Sequence, residues 1–177
     1  QNINLTDILY AKNLGYKILG EIYLKPNKRN IYKCLRATSS LPFFTKGKCN
    51  VNGVDLMDGA WADPIPAKSA ADFGANKIIV IRPHSLGHKV TGLSYLGLLA
   101  GYWWKNNPKV RDNFFKEHNH YNEAVDFLTK EHKNLEIQQI CPDKPLKSGV
   151  VGTSIEDLTQ DYHCGLEKGM DFLNTNC

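Results

Sequence analysis

Apolar and polar positions follow two different rhythms along this chain. Lys77-Ile78-Ile79-Val80-Ile81 is a continuous run bounded by turn residues. An uninterrupted run of that kind predicts a strand buried on both faces of a parallel sheet. Leu135 to Ile140 is another strand candidate, ended by Cys141-Pro142. Lys48 to Val51 and Val54 to Met57 flank Asn52-Gly53. Both residues of that dipeptide tolerate positive φ, so the segment predicts a hairpin. Elsewhere the period lengthens. Asn30 to Thr38 predicts a short helix that stops before Leu41-Pro42. Pro66 to Phe73 predicts a helix opened by proline and closed by Gly74. Val110 to Lys130 reads as one long, highly charged helix, and Ile155 to Phe172 as the last. Residues 1–25 are amphipathic without an assignable period.

Alternating strands and helices predict an α/β layered fold, with residues 1–177 forming a single domain. No internal repeat, low-complexity block or linker divides the chain. The strands are few for so much helix, so the chain reads as one half of a larger sheet.

Hydrophobic residues make up 42% of the chain and charged residues 23%, the balance of an ordinary globular domain with a core. The net charge of +4 is compatible with anionic membrane surfaces. It is too weak and dispersed for nucleic-acid recognition, and no aromatic-basic RNA motif occurs. The cysteines are Cys34, Cys49, Cys141, Cys164 and Cys177, with long spacings and no Cys-x-x-Cys. That pattern argues against zinc and against a disulfide framework. Reduced thiols in the cytosol are the expectation, and export stays open. The chain opens on Gln1 with no charged-then-apolar leader behind it, which suggests a fragment or a processed product.

Candidate chemistry centres on Met57-Asp58-Gly59-Ala60-Trp61-Ala62-Asp63-Pro64-Ile65-Pro66. Val54 and Leu56 share one strand face, and Asp58 falls where the strand gives way to a turn. Gly59 there would permit a backbone conformation closed to other residues, and Ala60 keeps the surroundings uncrowded. A carboxylate so placed can take a proton from a hydroxyl, provided burial raises its basicity and geometry brings the two within reach. Asp-Gly is also a common turn pair, and most such aspartates only stabilise turns.

The wider pattern adds to this. Leu35-Arg36-Ala37-Thr38-Ser39-Ser40-Leu41-Pro42-Phe43-Phe44 precedes the aspartate, and Asp58-Gly59-Ala60 is followed by Asp63-Pro64-Ile65-Pro66. Ala70 to Ala75, Lys77 to Ile81, Pro142 to Leu146 and Asp161 to Gly165 come next in order. Together these segments, from about Leu35 to the C-terminus, resemble the C-terminal portion of a bacterial patatin-like phospholipase. The resemblance implies a three-layer α/β/α fold to which this chain supplies the later strands and their helices. It implies a Ser–Asp dyad hydrolysing phospholipid or another acyl ester, with no metal and no organic cofactor. By the same resemblance Asp58 is the general base, and Gly59 and Ala60 shape its turn.

The family's Gly-x-Ser-x-Gly elbow and glycine-rich oxyanion loop lie upstream of this region, and neither motif occurs in the chain. The implied partner is therefore an upstream polypeptide segment carrying the serine. Gly152-Thr153-Ser154-Ile155-Glu156 has Glu where the second glycine belongs. Ser154 reads better as a helix N-cap, with Asp157 as an imperfect capping-box partner. The alternative to an enzyme is a non-catalytic lipid- or protein-binding module on the same scaffold.

Other segments are weaker candidates. Gly92 to Trp104 is apolar, too short to span a bilayer, and ends in Tyr102-Trp103-Trp104-Lys105. It reads as a core helix or lid before it reads as a lipid-facing interfacial segment. A cytoplasmic or peripheral-membrane location follows from these readings. His118 and His120 are placed on a solvated helix face, His84 and His88 have no evident partner, and Gly165 and Gly169 would allow close helix packing.

Overall fold

The computed structural model describes residues 26–45, 47–106, 108–149 and 152–176. The amphipathic stretch 1–25 and Cys177 lie outside the described residues.

Helix α1 (Ile31–Thr38) lies against a hairpin of β1 (Cys49–Val51) and β2 (Val54–Leu56). The hairpin pairs Cys49 with Leu56 and Val51 with Val54. Asn52 and Gly53 have φ of 52° and 86°, the left-handed pair that Asn-Gly accommodates. Cys34 and Ala37 of α1 bury against Val51 and Leu56, forming a first small core.

A 3-10 turn (Gly59–Trp61) and helix α2 (Ala67–Asp72) follow, and then β3 (Lys77–Ile81). Gly74 ends α2 with φ of 95°, the left-handed terminus expected of glycine. Helices α3 (Tyr95–Trp103), α4 (Pro108–Phe115) and α5 (Glu117–Thr129) lead to β4 (Glu136–Ile140) and to α6 (Ile155–Asn176). Strands β3 and β4 pair in parallel, Lys77 opposite Glu136 and Ile81 opposite Ile140. The α/β class holds at this level.

The four strands of the described residues do not join one sheet. They form a two-stranded antiparallel hairpin and a separate two-stranded parallel sheet. The expectation that Lys77–Ile81 is buried on both faces fails. Its residues alternate between exposed and half-buried, with Ile79 51% and Ile81 77% exposed. The apolar run marks a strand suited to burial, but no described element covers the Lys77–Ile79–Ile81 face.

The single helix expected over Val110–Lys130 is two helices broken at Lys116 (φ −103°, ψ 8°). The two serve different neighbours: α4 packs on α3, while α5 packs on α2 and the 3-10 turn. No glycine or proline marks the break, so the charge pattern runs through it.

A second core contains Met57, Trp61, Ala100, Val110 and Phe114, with Leu41, Leu96 and Trp104 packed around it. Trp61 and Phe114 meet edge to face at 4.8 Å between ring centres. Helix α3 enters this core through its small residues. It buries Gly97, Ala100 and Gly101, while Tyr102 and Trp103 are 70% and 73% exposed. A Cβ on Gly97 would stand 2.7 Å from Glu117 Oε1, so the helices approach through glycine. The core-helix expectation is thus correct for one face only.

Ser154 does cap α6: its Oγ accepts from Asp157 N–H at 3.0 Å and donates to Asp157 Oδ2 at 2.7 Å. Among the described residues, Gly165 and Gly169 have nothing within 4 Å of a would-be Cβ, so none of these makes the close helix packing that the two glycines would allow. Among the described residues, no helix is long and apolar enough to cross a membrane.

Candidate functional site

Asp58 stands between the two cores. Leu56 is fixed in the first, and Met57 and Trp61 in the second. The intervening turn is therefore held from both sides. Asp58 Oδ1 accepts from Ala60 N–H at 2.8 Å, making Asp58 the cap of the 3-10 turn. Ala62 N and Asp63 N both donate to Gly59 O, at 3.0 and 2.9 Å. Asp63 Oδ2 then accepts from Ser69 Oγ at 2.6 Å, tying the turn to α2. Gly59 is not among the glycines with positive φ. It opens the 3-10 turn with backbone any residue could adopt, which corrects the expected role of that glycine.

Burial pushes the Asp58 carboxyl above its ordinary pKa, and the Ala60 N–H bond opposes this in part. A carboxylate of raised basicity is a better proton acceptor. No hydroxyl donates to it among the described residues. Thus the structure places Asp58 and Gly59 together in a rigid turn, with Ala60 at the edge of an adjoining cleft.

That cleft has a volume of about 820 Å³. Ala60, Pro64, Ala67, Ile78, Arg82 and Tyr121 are among the residues that line it. Its lining runs along the whole of β3 and on to Arg82, Pro83 and His84 beyond the strand's C-terminal end, the end at which parallel sheets present ligands.

Arg82 directly follows β3 and continues the ladder, its N–H donating to Ile140 O at 3.0 Å. Its side chain is only 5% exposed. The guanidinium donates to Tyr121 Oη at 2.9 Å, Gln139 Oε1 at 3.2 Å and His88 O at 3.3 Å. Its Nε is buried without a partner among the described residues. Sequence reasoning missed this residue. The signal was a lone cation immediately after an apolar strand run.

Helix α5 contacts both the turn after Asp58 and the residue that follows β3. His120 Nδ1 lies 3.2 Å from Trp61 O, and Tyr121 meets Arg82. The loop after Arg82 is clamped by Asn122, which exchanges hydrogen bonds with Val90 N and Val90 O at 3.0 and 2.9 Å. Lys89 adds an ion pair to Asp126 at 2.6 Å, and Ser94 N donates to Glu117 Oε1 at 2.7 Å. His118 and His120 are therefore not on a solvated face: both are half-buried, and His120 bonds to the turn that follows Asp58. His84 and His88, expected to lack partners, stack on each other with ring centres 4.6 Å apart. Among the described residues, no cluster of His, Cys, Asp and Glu is arranged to hold a metal.

A family model described as a domain of unknown function (DUF6363) matches residues 107–177. The match takes in α5 and Tyr121 but not Asp58 or Arg82. The chain is also similar to the uncharacterized protein YjjU of Escherichia coli strain K12, at 31% identity over 156 residues. The alignment covers 86% of this chain and 43% of that protein, so the chain spans less than half the length of this curated relative. No solved structure matches the chain.

Proposed function

We propose that this chain is the C-terminal, base-bearing portion of a patatin-like acyl-ester hydrolase with a three-layer α/β/α fold. The observation that carries the reading is Asp58: a half-buried carboxyl of raised basicity, locked between two cores in a turn whose Ala60 borders a cleft. A serine hydroxyl is a weak nucleophile until a base takes its proton. In this reading the serine comes from an upstream segment of a longer polypeptide. Asp58 accepts its proton during attack on the ester carbonyl. It returns that proton to the leaving alcohol, and the acyl-enzyme is then hydrolysed. The open Lys77–Ile79–Ile81 face is in keeping with further sheet or helix layers, and the partial coverage of the longer relative with further chain.

The test is Asp58→Asn in a parent polypeptide that includes the upstream serine segment. Turnover of a phospholipid or simple acyl ester should fall by about 10²–10⁴-fold, the usual reach of general-base catalysis. Near-normal turnover in a folded variant would sink the assignment.

A second reading, a non-catalytic lipid-binding module, is favoured by one observation. Tyr102 and Trp103 of α3 and Phe43 and Phe44 of the loop between α1 and β1 are exposed, with Phe43 edge-on to Trp103 at 5.9 Å. Lys105 lies over the Tyr102 ring at 5.2 Å, the pairing of aromatics and cation found at lipid interfaces. Anionic vesicles should then shift Trp fluorescence to the blue, and an unchanged spectrum would count against contact through this face.

A further inference from the structure

We infer that Arg82, His84 and Tyr121 form a binding site for a small oxyanion, a phosphate or carboxylate group, at the C-terminal end of β3. Arginine stays protonated at all physiological pH values. Withdrawing its guanidinium from water costs several kcal/mol unless an anion or a full set of acceptors replaces the hydration. Arg82 is withdrawn to 5% exposure, yet every acceptor that it meets is neutral: a phenol, a side-chain amide and a main-chain carbonyl. No carboxylate pairs with it among the described residues, and its Nε–H is left over. The hydration that Arg82 gives up is therefore only partly replaced, and its charge is not neutralised.

The surroundings favour an anion over any other ligand. Arg82, His84 and Tyr121 line the same cleft of about 820 Å³. Tyr121 Oη already accepts from Arg82, which leaves its own proton to donate. The exposed His84 ring stacks on His88 and stands edge-on to Tyr121 at 5.9 Å. Burial first, and then His88 and Arg82, depress the His84 pKa, so the ring already stands in a field of positive sign. Phosphate or carboxylate oxygens would gain charge-assisted hydrogen bonds from the guanidinium and neutral ones from the phenol and imidazole. The loop carrying His84 and His88 is pinned to α5 through Asn122 and Asp126, so these donors are positioned in advance. The site does not depend on the ester-hydrolase reading, since it uses neither Asp58 nor a serine.

The test is a titration of the full 177-residue chain near neutral pH, with histidine ring signals followed by NMR at constant ionic strength. The probes are inorganic phosphate, acetate and, as control, chloride. Saturable shifts of His84 and His88 with phosphate or acetate, and not with chloride, are expected. Saturation by phosphate alone assigns a phosphate-bearing ligand, and by acetate alone a carboxylate. Saturation by neither overturns the site. Arg82→Gln should weaken the effective anion about ten-fold or more, the loss of a hydrogen bond to a charged group. His84→Gln, at an exposed position, should weaken it about three-fold and carries the test if the buried variant does not fold. Undiminished affinity in folded His84→Gln and Tyr121→Phe variants would overturn the proposal.

Discussion

The main-chain N–H of Asp58 donates to the carbonyl oxygen of Ser40 at 3.1 Å. Ser40 in turn is buried, and its Oγ donates to Arg36 O at 2.7 Å. The segment after α1 and the turn after β2 are thus joined through one residue. Ser40→Ala removes the hydroxyl bond while leaving the carbonyl in place. It should cost about 0.5–1.5 kcal/mol, the net worth of one such bond. Chemical denaturation of the variant measures this, and a cost near zero would show that the Arg36 carbonyl is satisfied without the hydroxyl.

The raised pKa of Asp58 also bears on stability. A carboxyl whose pKa is higher folded than unfolded binds more protons in the native state, so stability falls as pH rises across that window. The window opens at the ordinary aspartate value of 3.8 and closes at the higher folded value. Above it the native state bears the full cost of the buried charge. Asp58→Asn removes that charge and keeps an oxygen that can accept from Ala60 N–H. The variant should therefore gain stability relative to wild type as pH rises from below 3.8 toward neutrality. Paired denaturation curves at the two pH values test the sign, and a difference independent of pH would contradict it.

Trp61 offers a contrast between volume and polarity. Its ring fills the second core against Phe114, yet its Nε1–H is buried without an acceptor. Trp61→Ala should cost about 3–5 kcal/mol through the cavity it leaves. Trp61→Phe leaves a smaller void and also removes the orphaned donor, whose burial costs about 1–3 kcal/mol. The two effects oppose, so this variant should stay within about 1 kcal/mol of wild type. Thermal or urea unfolding of the pair checks the difference, and equal losses would mean that the indole N–H is satisfied after all.

The elements that could be read from sequence are those whose signals are local. Asn52-Gly53 gave the hairpin because both residues accept positive φ, and Gly74 gave the end of α2 for the same reason. Asp58 was visible because an acid followed by glycine stands out at the end of a strand. What stayed hidden depends on distant contacts. The break at Lys116 comes from α4 and α5 packing on different neighbours, with no breaker residue to announce it. Arg82 carries no motif at all: Tyr121 reaches it from 39 positions away in sequence. The open face of β3 could not be foreseen either, because an apolar run states what a strand can bury and not what is present to cover it.

Helix α6 runs for 22 residues without one buried side chain. It is held to the rest by point tethers: Gln138 to Asn176 at 2.8 Å, Asp143 to Lys168 at 2.6 Å, and Asp161 to the amides of Lys147 and Ser148. Isolated helices are marginal in water, and tethers that bridge exposed side chains add little. Unwinding α6 therefore sacrifices almost none of the burial that holds the two cores together. The molecule has two clocks. Amides of α6 exchange with solvent through a low-energy local opening, while those of β2 and α4 wait for global unfolding.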